Sequence, residues 1–303
     1  MKKFLLPLAR RITQLTVIFF LFIIPLKSFE VSNIAQRGMD FSRFSDNILL
    51  QSYYDFNNWS GATFDNLSAF KGSLWALDIA GIRICEPLAF LETLASTGWI
   101  STVFFISVLP LLLITLFLGR VFCGWLCPVN LLLEYTAKLR NFLQKLGLPF
   151  RTVQFSFNIK YYLLEGGLVF SFFAGIPFLS FLYPPLIIAR EAYFYVYLLP
   201  MTGLLFLLAI VFFEFLFSPR CWCRSFCPGG ALYSLLGRLR ILRISAEKAQ
   251  CTLKEENCSV CYESCSMGLY PAGDDNLAEC DNCGKCIADC PEKALSYRVR
   301  YFR

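Results

Sequence analysis

Histidine occurs nowhere in the 303-residue chain. Its absence excludes His-ligated haem, the C-x2-C-H haem attachment motif and any imidazole acid–base catalyst. Acids are missing selectively. Lys2, Lys3, Arg10 and Arg11 have no Asp or Glu among them, and neither do Arg220, Arg224, Arg238, Arg240 and Arg243. No small-x-small cleavage site follows the apolar run after Arg11, so that run reads as a membrane anchor and not as a removable leader. The polarity of a soluble domain is lacking too. Hydrophobic residues make up 56% of the chain and aromatics 17%, with 32 Phe, which points to a membrane protein carrying a small soluble module. The net charge of +6 sits in patches beside apolar runs, a pattern of membrane orientation with no call for a nucleic acid.

Cysteine, by contrast, is plentiful at fourteen residues. The short grouped spacings argue for metal ligation in a reducing compartment and not for secreted disulfides. Cys280, Cys283, Cys286 and Cys290, followed by Pro291, reproduce the C-x2-C-x2-C-x3-C-P run of bacterial ferredoxins. A zinc site would also accept cysteines, but it usually pairs two C-x2-C knuckles and has no use for the closing x3-C-P. Upstream, Cys258, Cys261 and Cys265 give the second half of the pattern. Glu255 stands where a further cysteine is expected, so Cys251 is read as the displaced first ligand. Crossed ligation then assigns Cys251, Cys258, Cys261 and Cys290 to one [4Fe–4S] cluster and Cys265, Cys280, Cys283 and Cys286 to another.

Four apolar runs, at about 12–28, 98–118, 161–183 and 196–217, predict transmembrane helices. An acid-rich outer loop, 29–97, separates the first two, and Arg190, Glu191 and Tyr193 form the polar part of a short second outer loop. Basic residues gather in the other connections, so the positive-inside rule places both termini in the cytoplasm of a multi-pass inner-membrane protein. The predicted fold is α-helical over 1–245, followed by an α+β two-cluster ferredoxin module over 246–303. That module is acidic, and the helices before it carry Lys138, Arg140, Lys145, Arg238, Arg240 and Arg243. A salt-sensitive docking of the module onto this basic collar is expected.

A repeat is superimposed on this map. Leu116-Phe117, Arg120, Cys123, Cys127-Pro128, Leu132, Leu139 and Arg140 recur 100 residues later. Two helices ending at one face in the same direction suggest parallel repeats. Each copy reads helix end, arginine, C-x3-C-P, then a basic helix. Proline favours the first helical turn, which puts Cys127 and Cys227 at helix N-caps where dipole and arginine favour thiolate. Cys123, Cys127, Cys223 and Cys227 are thus candidates for a redox or metal site at the membrane surface, against the plainer reading of small residues in a tight turn. Cys221 and Cys85 read as structural. Glu165 and Glu214 fall within predicted spans and are candidates for proton handling.

The segment Gly119-Arg120-Val121-Phe122-Cys123-Gly124-Trp125-Leu126-Cys127-Pro128, its partner Cys223-Arg224-Ser225-Phe226-Cys227-Pro228 and the terminal double ferredoxin resemble the NapH and MauN family. Lys71-Gly72-Ser73-Leu74 through Glu86-Pro87-Leu88-Ala89 is similar to the NapH segment before its second helix. The insertion around 36–68, the displaced Cys251 and Ser266 in place of proline depart from the pattern. The resemblance implies an electron-transfer subunit that helps oxidise membrane quinol and serves an iron–sulfur or cytochrome partner, such as one supporting a periplasmic nitrate reductase. The alternative is an assembly or redox-regulatory factor for a partner metalloenzyme. A third reading is a scaffold whose clusters only stabilise its fold.

Overall fold

The structure, a computed structural model, describes residues 2–29, 48, 51–53, 55, 70–73, 76–79, 81–150, 153, 155–247, 250–251, 258–273 and 277–299. Most of the insertion at 36–68 lies outside them. The first helix, α1 (Lys2–Phe29), starts well before the expected span at residue 12. Arg10 and Arg11 do not stop it, because both find Glu134 across the bundle.

After α1 comes a three-stranded antiparallel meander, β1 (Phe70–Ser73), β2 (Ala76–Ile79) and β3 (Ile82–Cys85). It is followed by α2 (Pro87–Thr97), with Pro87 in its first turn and Gly98 ending it at φ 67°. The described residues 70–73, 76–79 and 81–97 of the outer loop expected there thus form strands and a helix. Next is α3 (Thr102–Leu118), capped by Ser101, whose hydroxyl accepts from the Phe104 N–H at 3.3 Å. A single π turn (Phe122–Leu126) leads into α4 (Pro128–Lys145).

The second half repeats the plan with α5 (Ile159–Ala174), α6 (Pro184–Val196), α7 (Leu204–Leu216), a π turn (Trp222–Phe226) and α8 (Pro228–Gly237). Here two expected boundaries change. Gly175, at φ 66°, stops α5 well short of residue 183, and α7 starts at Leu204, not at 196. Arg190, Glu191 and Tyr193 lie within α6 and not in an outer loop. Their polarity mimics a loop, but Glu191 is buried and bonded.

The repeats interlock. Each opening helix, α1 or α5, packs on the short Pro-initiated helix of the other repeat, α6 or α2, while α4 packs on α7 and α8 on α3. Among the described residues only α1, over Leu5–Phe29, is both long and apolar enough to cross a membrane. Thr102–Leu118 and Leu204–Leu216 are apolar but shorter.

The C-terminal module is built on antiparallel β4 (Leu242–Ala246) and β5 (Leu295–Val299), with short helices α9 (Val260–Glu263) and α10 (Lys285–Asp289). β4 straddles residue 245 and ties the end of the helical part to the module. The module core gathers Ile244, Met267, Leu269 and Leu295 around several cysteines. The protein is thus mostly helical with a ferredoxin-like module docked on it.

Candidate metal centres

In each repeat the backbone leaves its apolar helix through a π turn, closed by Cys127 N–H to Phe122 O at 3.0 Å and Cys227 N–H to Trp222 O at 2.8 Å. Such one-turn bulges recur at functional sites. Both cysteines then adopt extended backbone as N-caps of Pro-initiated helices, at φ −71°, ψ 117° and φ −72°, ψ 116°. The Gly230 N–H donates to Cys227 Sγ at 3.3 Å. Cys123, Cys127, Cys223 and Cys227 all line one pocket of about 30 Å³ between the repeats, together with Met267 and Asp281 of the module. The site is interior, not at an exposed surface. Burial pushes the Cys227 thiol up to about 12, although the Gly230 N–H, Arg120 and Lys160 pull the other way. Desolvation therefore outweighs the helix terminus, and thiolates here would need a bound cation to displace their protons.

The module brings its own cysteines together. Cys251, Cys258, Cys261 and Cys290 line a second small pocket of about 20 Å³ walled by Val260, Ala272 and Leu295. Cys265, Cys280 and Cys286 share the core, and Cys283 is buried beside them. The Leu269 N–H donates to Cys265 Sγ at 3.4 Å. Both sets are all-sulfur, soft and walled by small apolar groups, the donor chemistry of an iron–sulfur cluster. Among the described residues no three Cys, Asp or Glu side chains converge closely enough for a single ion. By donor chemistry the two sets fit an iron–sulfur cluster.

The family model for a 4Fe-4S binding domain matches residues 100–147 and again 199–245, the two C-x3-C-P repeats. The ferredoxin-type protein NapH of Haemophilus influenzae is 31% identical over 244 residues, covering 77% of this chain and 80% of that protein. The chain belongs to the NapH/MauN family of ferredoxin-type proteins. NapH of Escherichia coli is 27% identical over 233 residues, 73% of this chain and 76% of its own. The methylamine utilization ferredoxin-type protein MauN of Methylobacillus flagellatus is 28% identical over 246 residues, 81% and 72% respectively. No solved structure matches. As a member of this family with a 4Fe-4S domain matched twice, the chain is an iron–sulfur protein of the electron-transfer type.

In this NapH/MauN-family chain the module is held by buried charge. Glu279, fully buried, accepts from Arg120 at 2.7 Å, Tyr161 at 2.6 Å and Ser234 at 2.9 Å, and also pairs with Lys160. Arg220 stands 3.8 Å from Asp281. Glu134 meets Lys285 of the module at 2.9 Å, and Arg10, Arg11 and Arg220 of the helical part. Burial raises the Glu134 carboxyl, but the Lys285 hydrogen bond and the Lys285, Arg10 and Arg220 charges outweigh it and hold it at about 2. Arg240 donates to Cys280 O at 2.8 Å and Trp125 to Asn282 O at 3.0 Å. The module docks through charge, but its acids Glu279 and Asp281 meet Arg120, Lys160 and Arg220 and not the expected collar. Of that collar Arg240 reaches the module through the Cys280 carbonyl, Arg140 lies over Phe150, and Lys138 and Arg238 stay exposed.

Of the two candidate proton carriers, Glu214 is buried and its Oε1 accepts the Trp222 N–H at 2.6 Å, at the start of the second π turn. Glu165 lies exposed on α5 and does not line the cysteine pocket. Glu86 was not among the candidate site residues read from the sequence. It is fully buried, and Tyr233 Oη lies 3.4 Å from its Oε1. The available signal was a carboxylate directly before a helix-initiating proline.

Proposed function

We propose that this chain is a membrane-embedded electron-transfer subunit of a quinol-oxidising system. Four crossings, α1, α3, α5 and α7, would hold it in the inner membrane as two parallel repeats with both termini cytoplasmic. At 1.5 Å per residue α7 spans about 20 Å against a hydrocarbon core of about 30 Å, so the adjoining turns must supply the remaining depth. Cys251, Cys258, Cys261 and Cys290 would hold one [4Fe–4S] cluster and Cys265, Cys280, Cys283 and Cys286 the other, in the module from about residue 246. When bound, such groups supply one-electron transfer. The four C-x3-C-P cysteines would hold a further metal or cluster. An iron–sulfur or cytochrome protein, of the kind that serves a nitrate reductase, would be the partner.

One observation carries this reading. Met267 and Asp281 line the C-x3-C-P pocket while sitting two residues from Cys265 and one from Cys280. The three cysteine groups therefore follow one another from the bundle interior into the module. The chain's own part is to fix this order and to exclude water. Arg120, Lys160 and Arg220 place positive charge beside the interior cysteines, and Tyr183 and Trp222 wall them from solvent.

Anaerobic iron and sulfide counts on purified protein should give about eight irons from the module, or about twelve if the interior site also holds a four-iron cluster. Adding reduced quinol should then bleach the cluster absorbance on the timescale of turnover. Intact clusters that quinol never reduces would sink the reading and favour the second one, an assembly or regulatory factor. The interior setting of the C-x3-C-P cysteines, where burial pushes the Cys227 thiol up to about 12, is what speaks for that alternative.

A further inference from the structure

A groove of about 500 Å³ opens on the flank of the bundle between α1, α6 and α7. Its rim is apolar and exposed at Phe22, Leu204 and Leu208, and its floor is buried at Leu21, Ala192 and Leu207. One carboxylate enters this wall. Glu191 is 6% exposed, and its Oε1 is fixed by the Gly203 N–H at 3.0 Å and by Arg190 at 3.4 Å. Its Oε2 is buried and has no hydrogen-bond partner among the described residues. Gly203 makes the clamp possible, since a Cβ there would lie 2.6 Å from Glu191 Oε1 and 2.6 Å from Ile187.

An unpaired buried oxygen in an apolar wall calls for a donor delivered by a largely apolar molecule. Ile188 and Val211 line the groove and also pack on the core that contains Cys127 and Cys223. Ile188 and Val211 therefore form a single side-chain layer between the wall of the groove and that core. We propose that the groove binds the head group of a quinol, one hydroxyl donating to Glu191 Oε2 and the tail leaving over the Phe22–Leu208 rim. This rests on the reading that quinol is the reductant. A phospholipid acyl chain would fill the apolar space but leave Oε2 unpaired.

The test uses the full chain in phosphatidylcholine nanodiscs with an azido derivative of decylubiquinone as photolabel. Label should map to residues 188–211 and be displaced by decylubiquinone. Ala192→Trp should cut labelling about tenfold by filling the floor, and Leu208→Trp, on the exposed rim, should do so without risk to folding. Glu191→Gln should weaken binding about tenfold, the loss of one hydrogen bond, with iron content unchanged. Label that maps elsewhere, or that survives Leu208→Trp and Glu191→Gln while quinol still reduces the clusters, overturns the groove and leaves the quinol reading intact. Label displaced by added phosphatidylcholine but not by decylubiquinone makes it a lipid groove and overturns the proposal. Neither labelling nor cluster reduction would overturn both together.

Discussion

At the residue scale, Cys251 is the departure from ferredoxin spacing that matters most. It stands seven positions before Cys258, yet it reaches the same pocket as Cys258, Cys261 and Cys290. Cys251→Ala should lower the iron content by about half, with the cluster at Cys265, Cys280, Cys283 and Cys286 keeping its spectrum. Unchanged iron and unchanged spectra would show that another ligand completes that site. The gathering of the cysteines was legible because their short spacings keep them close along the chain. Glu279 and Lys160 were not, because their pairing spans 119 positions and no local pattern records it. Glu134 was hidden for the same reason, since Arg10, Arg11, Arg220 and Lys285, which meet at it, come from distant stretches of the chain.

At the scale of elements, the 100-residue offset foretold a turn and a Pro-initiated helix in each repeat, and the π form of both turns is what the structure adds. The half-length helices α2 and α6 were hidden. Each begins at proline and carries buried carboxylates, Glu92 in α2 and Glu191 in α6, that read from sequence as loop polarity. Ser180 donates to both oxygens of Glu92, and the Gly203 N–H fixes one oxygen of Glu191. The first π turn also explains a glycine. A Cβ at Gly124 would lie 2.5 Å from the Asp281 backbone oxygen, which has no flexible end to swing away. Gly124→Ala should therefore loosen the module at a cost of about 1–3 kcal/mol. Gly166→Ala, with nothing near its Cβ, should be neutral or stabilising by up to about 1 kcal/mol. Thermal unfolding of both variants, with module release followed by protease sensitivity, separates the two. Equal behaviour would mean that the Gly124–Asp281 contact does not hold the module.

For the whole molecule, charge counting foresaw that an acidic module meets a basic helical part but placed the contact at the surface. The ion pairs that form are buried, and the difference is measurable. Exposed pairs are screened within about 8 Å at physiological ionic strength, whereas buried ones are screened much less. Raising salt to about 1 M at neutral pH should leave the module docked. Acid should act instead. Glu134 titrates at about 2 in the folded protein against an ordinary value of 4.5, so its folded form is the one that holds the charge. Its contribution is complete above about pH 4.5 and is lost as the pH falls from there towards 2. Hydrogen exchange of β4 and β5 should therefore stay slow in high salt and quicken below about pH 4. Charge reversal divides along the same line. Arg240→Glu, which removes the donor to Cys280 O and buries a second acid, should release the module, while Arg238→Glu on the exposed face should change little. Release by salt at neutral pH, or by Arg238→Glu, would return the contact to the surface where the sequence placed it.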